Sequence, residues 1–379
     1  MSYSKIVQEN RNWIDETFEK LNKKLSRTAV KSRNKIPYTS KNGEHDNQAG
    51  ENGYIYLWTN GFWGGLMWLM YAATGNEDFK ETAKVSEKLL DKVIENIHRV
   101  THDVGFMWHI LSGASYRLTG DLKSRNRNLL MAMTLASRYN VDGNYIRVWD
   151  REDAEGWTII DCMMNINQLY WASNELGDAR FKRIAMRYAD MAMRDHVRED
   201  GSVNHIVVHD TEKDLVLGTR GGQGYAEGSC WSRGASWAVY GFILSYIHTG
   251  KKEYLETAIR TADYFIDCIE KTEYLPLLDF KAPETPVYYD STAGAIAACG
   301  FIEIAKNLPE EMQDKYINSA IKLLKALEKN WCNWEENEDS ILQMGSENYR
   351  KGIHKPIIYG DYFFAEAIIK LKGVDFLPW

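Results

Sequence analysis

The sequence predicts an all-α protein, an (α/α)6 barrel in which six inner helices form a closed ring and six outer helices wrap it. Three observations predict this fold: two kinds of helix alternate along the chain, short glycine turns separate them, and strand patterns are rare. A helix that is apolar all round is buried, whereas a helix with one charged face lies at the surface. Because hairpins of these two kinds cannot bury their inner faces alone, they must stack on neighbours. We expect residues 1–379 to form one such domain.

The predicted inner helices are apolar nearly all round. They are Thr59–Thr74, Val104–Thr119, Ile159–Leu176, Arg233–Thr249, Thr292–Lys306 and Asp361–Leu371. Each predicted outer helix carries one charged face. They are Tyr3–Leu21, Glu77–Ile97, Leu122–Tyr139, Ala179–Asp195, Glu253–Glu270 and Glu310–Trp331. Short strands are expected only in the connecting loops, at Tyr145–Trp149, Val203–His209 and Tyr288–Asp290.

Four junctions share one pattern, a glycine followed by a short polar turn. They read TGNEDF at 74–79, TGDLKS at 119–124, LGDARF at 176–181 and TGKKEY at 249–254. Glycine accepts the left-handed backbone that ends a helix, and an aspartate or asparagine after it can cap the next helix. A fifth junction, KNLPEEMQ at 306–313, uses asparagine and proline instead. The long connection from His196 to Trp231 is expected to be an ordered loop over a functional site.

The charge balance restricts the classes of partner. The chain has 379 residues, with 46 Lys and Arg against 53 Asp and Glu, a net charge of −7. This acidic balance argues against a nucleic-acid partner, which normally requires a basic face. No apolar run reaches the length of a membrane span, and the N-terminal residues lack the apolar core of an export signal. Five scattered cysteines without a CxxC pair are typical of a reduced cytoplasmic protein, so we expect a cytoplasmic location.

Acidic residues and tryptophans recur where the predicted inner helices begin. Asp290 and Asp361 are interpreted as helix caps, since aspartate is a preferred N-cap and its charge suits a helix N-terminus. Asp161 differs because it lies in the apolar run WTIIDCMM at 157–164. A carboxyl group in such surroundings is desolvated, which disfavours its charged form and suits a general acid. Asp103, which follows His102, is the second candidate carboxylate.

Two carboxylates facing a tryptophan-lined pocket indicate a carbohydrate-active enzyme with general acid/base chemistry. The long loop and the helix after it add donors suited to a sugar or a carboxylate. They are His205, His209, Gln223 and Arg233. The sequence contains no HExxH motif, no nucleotide-binding loop in a strand–helix context and no paired-cysteine metal site. We therefore expect neither a metal nor an organic cofactor.

Six segments spread over nearly the whole chain carry a family resemblance. They are WTNGFWGGLMWLMY (58–71), HDVGFMW (102–108), TIIDCMMNI (158–166), the strand with His205, GGQGYAEGSCWSRGASWAVYG (221–241) and IYGDYFFAEAI (358–368). Together they resemble the unsaturated glucuronyl hydrolases of glycoside hydrolase family 88. The resemblance implies an (α/α)6 barrel without a cofactor. It also implies a small oligosaccharide substrate of glycosaminoglycan type, whose non-reducing end is a 4,5-unsaturated uronic acid left by a polysaccharide lyase. The enzyme is expected to be a monomer or a homodimer.

The resemblance also implies roles for particular residues. Asp161 resembles the general acid/base that protonates C4 of the unsaturated sugar and activates the water that adds at C5. Asp103 is similar to a second essential carboxylate that helps to hold the ring, and Arg233 to a residue that supports the sugar and Asp161. His205 and Gln223 resemble residues that position substrate and water. The expected walls of the pocket are Trp58, Phe62, His102, Trp149, Trp231 and Trp237.

One C-terminal loop departs from the family pattern. Some members accept sulfated substrates through Ser-x-x-Ser-x-Lys, whereas this chain reads SENYRK at 346–351, with Tyr349 in place of the middle serine. Ser346 and Lys351 are retained as candidate substrate-binding residues, and Arg350 adds a further positive charge. The alternative interpretation is a solvated basic loop.

Three other functions remain open on the sequence. The nearest is an unsaturated rhamnogalacturonyl hydrolase, with the same fold and reaction on pectin disaccharides. The second is an isomerase of the sugar 2-epimerase type, which depends on histidines as acid and base, and only nine histidines are present. The third is a non-catalytic helical scaffold, which does not require an acid within an apolar run.

Overall fold

The computed structural model describes residues 5–47 and 54–379. In chain order its α-helices are α1 (Lys5–Glu9), α2 (Arg11–Lys31), α3 (Phe62–Thr74), α4 (Glu77–Ile94), α5 (Ala114–Thr119), α6 (Leu122–Ser137), α7 (Cys162–Asn165), α8 (Asn167–Leu176), α9 (Ala179–Asp195), α10 (Ser232–Thr249), α11 (Lys252–Glu270), α12 (Ser291–Lys306), α13 (Glu310–Trp331) and α14 (Ile358–Lys372). The segment Gly105–Gly113 is a π-helix that runs directly into α5.

The inner ring consists of α3, the π-helix with α5, α7 with α8, α10, α12 and α14. Each inner element packs against the next, and α14 packs against α3 and closes the ring. Helices α10, α12 and α14 are buried along almost their whole length, whereas α4, α9 and α13 bury one apolar stripe each. The predicted (α/α)6 barrel is therefore confirmed. No helix among the described residues has the length and hydropathy needed to cross a bilayer.

The glycine junctions have the predicted geometry. Gly75, Gly120, Gly177 and Gly250 follow inner helices with left-handed φ angles of 70°, 74°, 65° and 70°. After three of these glycines, the next side chain accepts a backbone N–H of the following outer helix and caps it. These caps are Asn76, Asp121 and Asp178. The turns thus set the alternation of inner and outer helices.

The strands are short, and all the described pairs are antiparallel. They are β1 (Ser40–Lys41) with β2 (Glu44–His45), β3 (Tyr139–Asn140) with β4 (Tyr145–Ile146), and a three-stranded sheet of β5 (Trp157–Ile159), β6 (Ile206–His209) and β7 (Val216–Arg220). The predicted strands 145–149 and 203–209 are thus present in shortened form. The strand predicted at 288–290 is wrong, since Tyr289 forms only an isolated bridge to Leu277.

The third inner helix begins later than predicted. It starts at Cys162 rather than Ile159, because Trp157–Ile159 forms β5 and pairs with β6. A short buried apolar run cannot be assigned to helix or strand by its periodicity alone. Asp161 consequently lies in a strand-to-helix turn. At the N-terminus, the predicted helix 3–21 is split into α1 and α2 and extends to Lys31, and its first two residues lie outside the described residues.

The two predicted capping aspartates differ in outcome. Asp290 caps α12 as predicted, accepting the N–H of Thr292 at 3.1 Å. The prediction for Asp361 is wrong, because α14 begins three residues earlier and Asp361 instead accepts the N–H groups of Ile341 and Leu342. Burial raises the pKa of Asp361 to about 7, against the opposing effect of these two N–H groups.

Candidate active site

The ends of the first three inner helices are held together by close backbone contacts. A Cβ on Gly61 would lie 2.2 Å from the carbonyl oxygen of Phe106, and one on Gly105 would lie 2.7 Å from the Cα of Asn165. Only glycine permits such an approach. The Asn165 side chain also accepts the N–H of Phe106 at 2.9 Å. These contacts bring the segments that carry Asp103 and Asp161 side by side.

Asp161 presents a carboxylate oxygen that no described residue satisfies. Its side chain is 11% exposed, and its backbone carbonyl accepts the N–H of Met164 at 3.0 Å at the start of α7. The Oδ2 atom is buried without a hydrogen-bond partner, and Nε2 of His205 lies 3.5 Å from it. A buried polar atom without a partner costs free energy, and such atoms often mark sites of chemistry. The atom is therefore available to substrate or water.

The hydrogen bonds of His205 assign its tautomer. Its Nδ1 accepts the backbone N–H of Gln223 at 2.9 Å, so the proton of the neutral imidazole resides on Nε2. That nitrogen faces Asp161. The ring also packs against Trp231, with the ring centroids 4.3 Å apart. His205 can therefore direct an N–H group toward the Asp161 carboxylate.

Gly222 allows the Gln223 N–H to reach His205. Gly222 has a left-handed φ of 57°, and a Cβ there would lie 2.0 Å from Nδ1 of His205. We expect Gly222→Ala to displace the imidazole and to lower kcat/KM by about 10- to 100-fold. The matched control is Gly228→Ala, since Gly228 has a φ of 79° but open space around its Cβ position. Steady-state kinetics across pH and thermal denaturation would check both variants, and equal losses in the two would attribute the effect to backbone strain alone.

Asp103 lies beside His102 and interacts with the charge of Asp161. Nδ1 of His102 donates to the carbonyl of Val148 at 3.1 Å, and its Nε2 lies 3.2 Å from Oδ1 of Asp103. The hydroxyl of Thr101 donates to Oδ2 of Asp103 at 3.3 Å. Burial raises the pKa of Asp103, and the negative charge of Asp161 raises it further, while His102 opposes the shift. The charge of Asp161 thus reaches the Asp103 carboxyl group.

Arg233 is buried close to the site, with its guanidinium 4.5 Å from the ring centroid of Trp231. Its guanidinium donates to Asp290 at 2.5 Å, to the carbonyl of Ser346, and to the carbonyl of Glu347 at 2.8 Å. It also lies over the ring of Tyr359, 5.2 Å from its centroid. Burial alone would lower the pKa of Arg233, but Tyr359, Asp290 and Asp161 raise it above its ordinary value. Arg233 therefore stays charged and fastens the loop that contains residues 346 and 347.

Three of the predicted aromatic walls, Trp58, Phe62 and Trp237, form one connected cluster. Trp58 is half-buried and stacks on Tyr359, with the ring centroids 4.9 Å apart. Phe62 and Trp237 are completely buried and contact Trp58 from behind. Trp149 lies elsewhere on the rim, with its ring against His102 at 6.2 Å. Trp58 and Trp149 therefore offer exposed ring surface, while Phe62 and Trp237 hold Trp58 in position.

The loop of residues 346–351 lies over the site and is tied to it. The side chain of Gln223 donates to the carbonyl of Glu347 at 2.7 Å, and the N–H of Tyr349 donates to the carbonyl of Gln223 at 2.9 Å. Ser346 is buried, and its hydroxyl donates to the carbonyl of Tyr289 at 2.7 Å. Lys351 is exposed. The structure thus gives Ser346 a role within the loop and leaves Lys351 at the surface.

Sequence reasoning missed three residues that shape this site. Tyr359 lies in the C-terminal segment IYGDYFFAEAI (358–368), and its position at the start of α14 could have identified it as a site residue. Asn165 and Gly222 also lie in segments that carry the family resemblance, but their neighbours in the sequence do not mark them as site residues, because their roles depend on contacts with distant parts of the chain. Among the described residues, no group of three or more His, Cys, Asp or Glu side chains is arranged to hold a metal ion.

The helical barrel and its two neighbouring buried carboxyl groups define a class of protein, the glycoside hydrolases that work by general acid/base chemistry. Comparison with known proteins supports this class. The chain is 34% identical over 342 residues to the unsaturated glucuronyl hydrolase of Bacillus sp. strain GL1, an alignment of 85% of this chain and 89% of the relative. It is 33% identical over 332 residues to the unsaturated chondroitin disaccharide hydrolase of Streptococcus pneumoniae, covering 85% and 83%. The chain belongs to the unsaturated glucuronyl hydrolase family.

Solved structures of unsaturated glucuronyl hydrolases also match the fold of this chain. The crystal structure of the Bacillus sp. GL1 enzyme, described as responsible for the degradation of glycosaminoglycan, superposes with a TM-score of 0.88 at 29% identity, over 95% of this chain and 97% of that one. A variant of the Streptococcus agalactiae enzyme complexed with dGlcA-GalNAc6S superposes with a TM-score of 0.81 at 27% identity, over 97% and 93%. No family model matches the chain.

Proposed function

We propose that this enzyme releases the 4,5-unsaturated uronic acid from the non-reducing end of glycosaminoglycan-type oligosaccharides by hydrating the C4=C5 double bond. The observation that carries the proposal is the buried, unpartnered Oδ2 of Asp161, with Nε2 of His205 3.5 Å away. The S. pneumoniae relative is named for chondroitin disaccharides, and the S. agalactiae enzyme was solved with dGlcA-GalNAc6S. These relatives support the substrate class.

In the proposed reaction Asp161 acts twice. It first donates its proton to C4, and the electron deficiency that develops at C5 and the ring oxygen is stabilised by nearby carboxylate charge. Water then adds at C5 and returns a proton to Asp161, so the acid is regenerated. The resulting hemiketal opens to a ketone at C5, and the former ring oxygen remains on C1 as a hydroxyl group, so C1 becomes a hemiacetal. The hemiacetal collapses to an aldehyde, and its hydroxyl proton passes to the remaining oligosaccharide, which leaves as an alcohol. One residue can serve both steps if both occur on the same face of the ring.

The neighbours of Asp161 have distinct proposed tasks. The Nε2–H of His205 would stabilise the carboxylate that remains after protonation of C4. The pKa of Asp103 is raised by burial, so this residue can exchange hydrogen bonds with sugar hydroxyls as donor or acceptor. The exposed ring surface of Trp58 offers a flat apolar face for the sugar. Arg233 holds the loop above the site in place.

A substrate panel tests the proposal. We expect the purified protein to remove the ultraviolet absorbance of the enol ether in unsaturated chondroitin and hyaluronan disaccharides, without added metal. Unsaturated rhamnogalacturonan disaccharides should react much more slowly. Turnover of the pectin-derived substrates alone would reassign the chain to the rhamnogalacturonyl activity, and turnover of neither class would refute hydration of unsaturated uronic acids.

We also propose a cytoplasmic location for this enzyme, as a monomer or a homodimer. All five cysteines are free, and three of them, Cys162, Cys230 and Cys299, are buried. Free buried thiols are typical of proteins kept in a reducing compartment. Cell fractionation with detection of the protein, together with light scattering of the purified chain, would check the location and the number of subunits.

A further inference from the structure

We propose that a cleft beside Asp103 binds an acidic group of the same oligosaccharide, beyond the sugar ring that reacts. The cleft has a volume of about 420 Å³ and is lined by His98, Arg99, Thr101, Trp149, Asp150 and Arg151. Ligand clefts in proteins have volumes of about 300–1,000 Å³. This inference rests on the proposed function and names a further part of its substrate.

The cleft is continuous with the catalytic residues. Thr101, which lines the cleft, donates its hydroxyl to Oδ2 of Asp103 at 3.3 Å. Trp149 packs against the ring of His102, which in turn lies 3.2 Å from Asp103. An oligosaccharide with its terminal ring at Asp103 and Asp161 can therefore place a later part of the chain in this cleft.

The charge of the cleft is positive although the protein as a whole is acidic. Arg99 and Arg151 are exposed at its surface. The carboxylate of Asp150, which also lines the cleft, is already bound by two hydrogen bonds of 3.0 Å from Arg138. Arg151 contacts Asp153 through two atoms, at 3.1 and 3.3 Å, but both side chains are more than half exposed, so an anion in the cleft can compete with this carboxylate. The two arginines are thus available to an anion.

Aromatic rings hold these arginines in defined orientations. The guanidinium of Arg99 lies 4.1 Å from the ring centroid of Tyr56. That of Arg151 lies 5.5 Å from the ring of Trp149 and 5.4 Å from that of Trp157. Stacked guanidinium groups keep their N–H edges free to bind a carboxylate or a sulfate. The partly exposed Trp149 adds a surface on which a sugar can stack.

The chemistry of the substrate gives a sharp test. An unsulfated unsaturated disaccharide has its only acid on the reacting ring, so it leaves the cleft without an anion. A sulfated disaccharide brings a sulfate, and an unsulfated hyaluronan tetrasaccharide brings a second carboxylate. The experiment compares kcat/KM on these three substrates for the wild type, for Arg99→Ala/Arg151→Ala, and for the control Arg183→Ala/Arg187→Ala. The control removes the same charge from the exposed face of α9.

We expect the cleft variant to lose about fivefold or more in kcat/KM on the sulfated disaccharide, on the tetrasaccharide or on both, mainly through KM. Its kcat/KM on the unsulfated disaccharide should stay within about twofold of wild type, and the control should match wild type on all three. High salt should reduce the wild-type preference for the acidic substrates. Which of the two acidic substrates is affected identifies sulfate or carboxylate as the bound group.

An equal loss on all three substrates, or no loss on any, would overturn the cleft assignment. If the wild type turned over none of them, the proposed function would fail. In that case calorimetric binding of the tetrasaccharide would still decide the cleft assignment, since the cleft variant should bind more weakly than the control.

Discussion

Asp161→Asn is expected to reduce kcat by about 10³-fold or more while leaving KM nearly unchanged. An asparagine amide has the same shape as the aspartic acid but has no acidic proton to transfer to C4. The fold should tolerate the change, because the Oδ2 atom that is replaced has no hydrogen-bond partner among the described residues. The measurements are the rate of loss of enol-ether absorbance and the thermal midpoint.

The thermal midpoint of Asp161→Asn should equal or slightly exceed that of the wild type, since catalytic groups are often held at a cost in stability. Asp314→Asn is the matched control, because it makes the same chemical change on the exposed face of α13 and should alter neither rate nor stability. If Asp161→Asn retained the wild-type rate, the assignment of the general acid would be wrong.

Arg233→Met is expected to destabilise the protein by about 3–5 kcal/mol, because it leaves a buried carboxylate without its partner. The carboxylate is that of Asp290, which is completely buried and lies 2.5 Å from the guanidinium. In the same step the carbonyl of Ser346 would lose the arginine as its donor, and the carbonyl of Glu347 would keep only the side chain of Gln223. Urea unfolding measured at equilibrium would give the change in the free energy of unfolding, and activity should fall strongly as well.

A double variant separates the two effects of Arg233. In Arg233→Met/Asp290→Asn no unpaired buried charge remains, so most of the lost stability should return. Activity should remain low, because the loop over the site still lacks the arginine that holds its carbonyls. Full recovery of activity in the double variant would show that Arg233 serves only to neutralise Asp290.

The parts of this protein that could be predicted from sequence are those with a local signal. The inner helices are apolar on all faces, and their closing glycines are followed by capping side chains, so the order of elements follows from short-range physics. Asp161 could be found because an ionisable residue inside an apolar run is costly unless it has a task. Its surroundings could be predicted less well, since the apolar run that forms β5 fits the start of a helix equally well.

The rest depends on contacts between segments that are far apart in the chain. The tautomer of His205 is set by the N–H of Gln223 and by the backbone conformation of Gly222. Asn165 joins α7 to the π-helix, which no periodicity indicates. The cap predicted for Asp361 failed for the same reason, because a loop twenty residues earlier in the chain supplies the N–H groups that its carboxylate accepts.

The close approaches at Gly61 and Gly105 have a consequence for how substrate range can change in this enzyme. Main chain meets main chain at both positions, so the spacing of the segments that carry Asp103 and Asp161 is set by the backbone and does not change when a nearby side chain becomes smaller or larger. We expect changes of substrate range to arise instead on two loops that meet where the ring centroids of Tyr225 and Tyr349 lie 5.0 Å apart. Laboratory evolution toward new sugars would therefore find its productive mutations in those loops.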